Sequence, residues 1–213
     1  FLHWAVNPAA LRPMVPDGLE LDLFDDKAWI GVTPFAMTGV RASVLPPIPG
    51  LDSFLELNVR TYVHYRGQPG VHFFSLDSSK IIPALAARFL YFLPYFKANM
   101  EFSTGGPAFH FSSKRVDSPA EFRADWQVGG PRGEAPLNSL EFFLVERYAL
   151  FVRIGGQIHI VRIHHRPWIL EEAVVLSHRS TMIGALGLPE PTAAPLAHFS
   201  YFLAVETWEP RPA

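Results

Sequence analysis

The stretch Leu55-Glu56-Leu57-Asn58-Val59-Arg60-Thr61-Tyr62-Val63-His64-Tyr65 alternates strictly between two sets of residues. Successive side chains of a β-strand leave on opposite faces, so Leu55, Leu57, Val59, Thr61 and Val63 share one face. Glu56, Asn58, Arg60, Tyr62 and His64 share the other. A helix would scatter both sets around its circumference. The segment therefore reads as a strand, and its polar row has two readings. An antiparallel sheet normally turns such a row to water. Alternatively the row lines a barrel interior, where Glu56, Asn58 and Arg60 offer an acceptor, an amide and a forked cation at steps of ~7 Å. In that setting Arg60 suits a bidentate grip on a carboxylate, and Glu56 suits proton transfer.

Working outward, the same punctuation recurs. Twenty prolines and fifteen glycines divide short apolar runs, a pattern of many strands joined by turns. Strands are predicted over Leu19 to Phe24, Ala28 to Met37, Val71 to Asp77, Ala98 to Ser103, Ala108 to Arg115, Glu121 to Val128 and His198 to Thr207. Tyr148 to Ile154, Gly155-Gly156 and Gln157 to His164 spell a two-residue hairpin. Asn7 is placed to cap a short helix with Pro8 at its first position. Further helices are predicted over Ser79 to Tyr91, Ser139 to Glu146 and Ser180 to Leu186, the last closed by Gly187. Leu45-Pro46-Pro47-Ile48-Pro49-Gly50 cannot join a ladder and reads as a crossover or a lid. These elements predict an α+β fold dominated by antiparallel sheet, closing into a barrel or half-open barrel with a few covering helices, as one domain over 1–213.

Composition bounds the function. The chain has 213 residues, 49% of them hydrophobic, with a net charge of −2 and no cysteine. Such a charge does not make the field that nucleic acid requires. Without cysteine there is no disulfide, no thiolate zinc site and no thiol nucleophile. Ile81 to Phe96 is broken by Pro83, Arg88 and Pro94 and falls short of a membrane span. The expectation is a cytoplasmic protein with neither membrane nor nucleic acid as partner. The oligomeric state is open, a homo-oligomer included. The chain begins at Phe1, so its natural start is expected upstream.

The chemistry-bearing residues are few. His164 and His165 face opposite ways on a strand, and His159 and His165 stand ~20 Å apart if extended, so no metal is expected. Ser75-Leu76-Asp77 sets Ser75 and Asp77 on one face without the elbow of a hydrolase nucleophile. In Leu93-Pro94-Tyr95-Phe96-Lys97-Ala98-Asn99-Met100-Glu101-Phe102, alternation puts Tyr95, Lys97 and Asn99 on one face. Lys97 reads either as a strand-end lysine reaching for water or as an amine in an apolar pocket, the setting that a Schiff-base lysine needs.

Together these segments carry a family resemblance. His3-Trp4 through Pro8, Leu11-Arg12 and Val15-Pro16 to Gly18-Leu19-Glu20-Leu21 resembles the start of YqjF-like proteins, a mostly bacterial family without an established activity. Glu56 to Tyr62, Phe73 to Asp77, Leu93-Pro94-Tyr95, Glu146-Arg147-Tyr148 and His165-Arg166-Pro167-Trp168 carry the likeness along nearly the whole chain. The family is similar in fold to acetoacetate decarboxylase, which implies a cone-like barrel around an apolar cavity. The decarboxylase pattern implies that Glu56 is a pocket glutamate. It sets Tyr95 and Phe96 where the family has its lysine pair. A phenol cannot form an imine, so the resemblance implies a pocket with different chemistry.

The resulting expectation is a barrel that binds a small, partly apolar carboxylate or carbonyl compound without a cofactor. The residues expected to bind are Asn58, Arg60, Tyr62 and Ser75. The alternative is a lyase or isomerase acting on a keto acid or related carbonyl compound, with Lys97 or the pair Tyr95 and Glu56 as catalytic groups.

Overall fold

The computed structural model describes residues 1–40, 52–80 and 92–213. The predicted helix Ser79 to Tyr91 falls mostly, and the proline run Leu45 to Gly50 wholly, outside the described residues.

Fourteen strands form one sheet among the described residues. They are β1 (Leu2–Val6), β2 (Glu20–Leu21), β3 (Ala28–Met37), β4 (Phe54–Tyr65), β5 (Gln68–Ser78), β6 (Tyr95–Gly105) and β7 (Ala108–Arg115). Then come β8 (Glu121–Glu134), β9 (Ala149–Ile154), β10 (Gln157–His165), β11 (Ile169–Ser180), β12 (Leu196–Phe199), β13 (Val205–Thr207) and β14 (Arg211–Pro212). Among the described residues the α-helices are short: α1 (Pro8–Leu11) and α2 (Leu140–Val145). Both start where the sequence places a cap, with the Asn7 side chain accepting from Ala9 N–H and that of Ser139 from Phe142 N–H.

The sheet closes on itself. Strands β5, β6, β7, β8, β11, β12, β1, β3 and β4 are paired in that order, and β4 pairs back onto β5. Most pairings are antiparallel, but β5 runs parallel to β6 at one end and to β9 near the other. At Gly70 an added Cβ would lie 2.6 Å from the Ala149 carbonyl oxygen, so only glycine lets these two strands approach. The hairpin β9–β10 turns through Gly155 and Gly156, both at positive φ, as a two-residue turn of this kind requires.

One apolar cluster gathers Leu2 and Trp4 of β1, Ile30 and Val32 of β3, Leu57 and Val59 of β4, Phe111 of β7 and Phe122 and Ala124 of β8. Strands so far apart around the ring meet only across its interior, so this cluster marks the inner face. The alternation in β4 then assigns the faces. Leu57 and Val59 point inward, while Glu56, Asn58, Arg60 and Tyr62 line the outer face of the ring wall. Most of that outer row does not meet water. Glu56, Asn58 and Tyr62 are all buried, and Tyr62 belongs to a second cluster with Leu144, Leu150 and Val161 from α2, β9 and β10.

Several predicted boundaries are corrected. The strand expected over Leu19 to Phe24 shrinks to Glu20–Leu21, with a bridge at Phe24 and Lys27. The strand from Glu121 runs on through Gly129-Gly130-Pro131 to Glu134, and its pairing with β11 shifts register three times, two of them across these turn-type residues. Ser180 ends β11, and only Gly184–Leu186 forms a helical turn, capped by Gly187 at φ 83°. The single last strand expected over His198 to Thr207 divides into β12 and β13, and strands β1, β11 and β14 were not predicted.

Candidate functional site

Glu56 and Tyr95 meet although 39 residues separate them: the Tyr95 hydroxyl donates to Glu56 Oε2 at 3.1 Å. The ladder explains the contact. Glu56 pairs with Ser78 on β5, Asn58 pairs with Leu76, and Leu76 pairs in parallel register with Tyr95 on β6. Paired residues share a face, so Glu56, Asn58 and Tyr95 project together. Thr33 joins them as the β3 partner of Asn58.

Burial sets the electrostatics. Glu56 is 4% exposed, and desolvation raises its carboxyl to about 8. The Tyr95 hydrogen bond opposes this, and the charge of Asp77 adds to it. At neutral pH Glu56 is thus largely a neutral carboxylic acid, able to donate as well as accept. Burial, then the neighbouring carboxyl, pushes the Tyr95 phenol up as well, so it stays protonated. Asn58 Oδ1 and Thr33 Oγ1 are buried on the same face without a hydrogen-bond partner among the described residues. Two protonated groups and two open acceptors therefore share one patch of wall.

Of the other predicted residues, Lys97 shares this face as the β6 partner of Ser78, while Arg60, Tyr62 and Ser75 lie apart from the pair. Arg60 shares the row with Glu56 but is ~13 Å further along the strand. Its guanidinium donates to the Leu144 carbonyl at 3.3 Å and lies over the rings of Phe1 and Tyr62. The Tyr62 hydroxyl donates to the same carbonyl at 2.9 Å. Ser75 is buried on the inner face, paired with Val59. Lys97 is exposed. The chain has four lysines, Lys27, Lys80, Lys97 and Lys114, and each is exposed. None has the apolar enclosure that an imine-forming amine needs. Among the described residues no three His, Asp or Glu side chains are grouped to hold a metal ion.

Two quoted motifs have structural roles. Glu146 accepts from the Tyr148 hydroxyl and from Trp168 N–H, and Arg147 pairs with Asp22 while donating to the Phe143 carbonyl. His165 stacks on Tyr148 with ring centroids 4.5 Å apart. These contacts fasten α2 and the β10–β11 connection to the outer wall.

A family model described as an uncharacterized conserved protein, DUF2071, matches residues 1–203. The chain belongs to the DUF2071 family. It is 40% identical over 209 residues to the uncharacterized protein YqjF of Bacillus subtilis (strain 168), covering 98% of this chain and 86% of that protein. Its fold is that of acetoacetate decarboxylase-like proteins. An acetoacetate decarboxylase-like enzyme from Sphingomonas wittichii RW1 matches with a TM-score of 0.61 at 14% identity, over 97% of this chain and 84% of that one. The enduracididine biosynthesis enzyme MppR complexed with pyruvate matches with a TM-score of 0.56 at 14% identity, over 97% and 82%. At such identities the likeness is one of fold, and this DUF2071 chain must be read from its own residues.

The Glu56–Tyr95 contact was half visible in the sequence, since both residues were singled out. Thr33 was missed because nothing marks a threonine in a β-rich run. The buried pair of Asp77 and Arg115 was missed because its partners lie on separate strands, and Asp77 was read only beside Ser75.

Among the described residues no helix is long and apolar enough to cross a membrane.

Proposed function

We propose that this protein binds a small, neutral, partly apolar carbonyl compound at Glu56, Tyr95, Asn58 and Thr33, in the cytoplasm and without imine chemistry. The observation that carries the reading is the hydrogen-bonded pair Glu56 and Tyr95, buried beside open acceptors. A protonated carboxyl donates to a carbonyl oxygen, and Asn58 Oδ1 and Thr33 Oγ1 receive any N–H or O–H on the ligand. Asp77 and the distance of Arg60 both disfavour an anion here. The pyruvate complex of MppR shows that this fold accommodates a carbonyl compound in another protein.

Acetylacetone is a suitable probe. Ligand-observed NMR is expected to show binding that Glu56→Met and Tyr95→Phe each weaken by about tenfold, the worth of one hydrogen bond to a buried group. Equal affinity in all three proteins would remove the site.

A second reading has its own support. A carboxyl at about 8 sits between its acid and base forms near neutral pH, as proton transfer to and from a carbon next to a carbonyl requires. Deuterium exchange into 2-butanone in D₂O then runs faster with the protein than with buffer and rises with pH through 8. Glu56→Gln abolishes it. Exchange at the buffer rate leaves binding alone.

A further inference from the structure

The inner face of the same wall carries a second polar group that the Glu56–Tyr95 site does not use. Ser75 and Asp77 of β5 stand beside the inward Val59 and Leu57. Ser113 and Arg115 of β7 stand beside Phe122 and Ala98 on that same face. Ala98 is small, and Arg115 reaches across β6 above it to Asp77, its Nε donating to Asp77 Oδ1 at 2.8 Å. Ser113 lies 3.5 Å from Asp77 Oδ2. Asp77 is fully buried, and Ser75 and Arg115 are 1% and 6% exposed.

Two donors of this group are left over. Arg115 Nη2 and Ser75 Oγ are buried and have no hydrogen-bond partner among the described residues. Such groups are costly to leave unmatched inside a protein. Val59 and Leu57, the ladder partners of Ser75 and Asp77, belong to the apolar inner cluster. The Phe96 ring covers the guanidinium at 3.9 Å and is itself 41% exposed, so this edge of the group borders solvent.

We propose that Ser75 and Arg115 bind the oxygen acceptor of a second small, neutral, largely apolar molecule, on the opposite face of the wall from Glu56 and Tyr95. Charge selects the ligand. Asp77 already balances Arg115, so the site offers an N–H and an O–H without net charge. The carbonyl of a ketone, ester or amide satisfies both donors. A carboxylate would bring a second anion beside Asp77, in surroundings that screen it poorly.

The test uses the full chain carrying Glu56→Met and Tyr95→Phe, so that the first site cannot supply the signal. The probes are 2-butanone, 2-hexanone, 2-octanone and hexanoate, followed by saturation-transfer NMR and titration. The expected result is ketone binding that tightens with chain length, with hexanoate at least about tenfold weaker. Adding Ser75→Ala is expected to weaken 2-hexanone by roughly tenfold without lowering Tm, because the hydroxyl has no bond to lose. The charge-neutral double change Asp77→Asn with Arg115→Gln is expected to abolish binding. Absence of ketone binding in the starting variant overturns the proposal. So does binding that Ser75→Ala leaves unchanged, or hexanoate binding as tightly as 2-hexanone. None of these results depends on whether acetylacetone binds at Glu56.

Discussion

Replacing Glu56 by glutamine is expected to change how the stability of this protein depends on pH. In the folded chain Glu56 is 4% exposed and its carboxyl is raised from 4.5 to about 8. In the unfolded chain it ionises at its ordinary value. Between these two values the folded state holds a proton that the unfolded state has released, so stability falls as pH rises. The contribution of Glu56 is fully present below pH 4.5 and fully lost above about 8. At ~1.4 kcal/mol for each pH unit, the loss over this window is on the order of 5 kcal/mol.

Glutamine has no proton to lose, keeps the shape, and still accepts from the Tyr95 hydroxyl. Urea unfolding of both proteins, followed by tryptophan fluorescence from pH 5 to 8.5, isolates the effect, since every other titrating group is shared. The two proteins should lie within about 1 kcal/mol of each other at pH 5, and the variant should lead by roughly 4 kcal/mol at pH 8.5. Parallel stability curves across this range would show that Glu56 ionises like an exposed carboxyl, and the chemistry assigned to it would fall.

The remaining expectations concern single contacts. Tyr95→Phe removes a hydrogen bond that favours the charged carboxylate, so the Glu56 midpoint, read by ¹³C NMR of the side-chain carboxyl, should move further up; a downward move contradicts the assigned contact. Arg115→Met leaves Asp77 buried and unpaired and should cost about 3 to 5 kcal/mol, with most of it recovered when Asp77→Asn is added. Calorimetry should read the single change as a fall of roughly 6 to 20 °C in Tm, and equal Tm values for single and double variants would discount the pair. Borohydride treatment with acetoacetate should leave the intact mass unchanged, because every lysine is exposed. An adduct mapped to Lys97 would restore the amine.

The strand over Leu55 to Tyr65 was legible because its alternation matches the pleat, and the hairpin over Tyr148 to His164 because two glycines supply positive φ where the turn requires it. Which face of β4 points inward was not legible. Both faces are buried, the inner by the ring cluster and the outer by α2, β9 and β10, so polarity alone could not separate them. Strand β11 escaped notice because Glu171-Glu172 and His178-Arg179 interrupt any alternation, and its register shifts absorb the irregularity. The meeting of Glu56 with Tyr95 depends on a parallel pairing of only three residue pairs, Leu76 to Ser78 with Tyr95 to Lys97. No local pattern encodes such a pairing.

The two faces of this wall explain one another. Asp77 is buried inward and held as an ion pair by Arg115, while Glu56 is buried outward with only a phenol for a partner. Two neighbouring carboxylates in poorly solvated surroundings cannot both ionise cheaply. Burial raises the Asp77 carboxyl and Arg115 pulls it back down, while the charge of Asp77 adds to the burial that raises Glu56. Asp77→Asn with Arg115→Gln removes that charge while leaving the outer face intact, so the Glu56 midpoint should drop below that of the wild type. The ¹³C titration reads this directly. An unchanged midpoint would mean that burial alone holds the proton, and that the inner pair serves the inner face only.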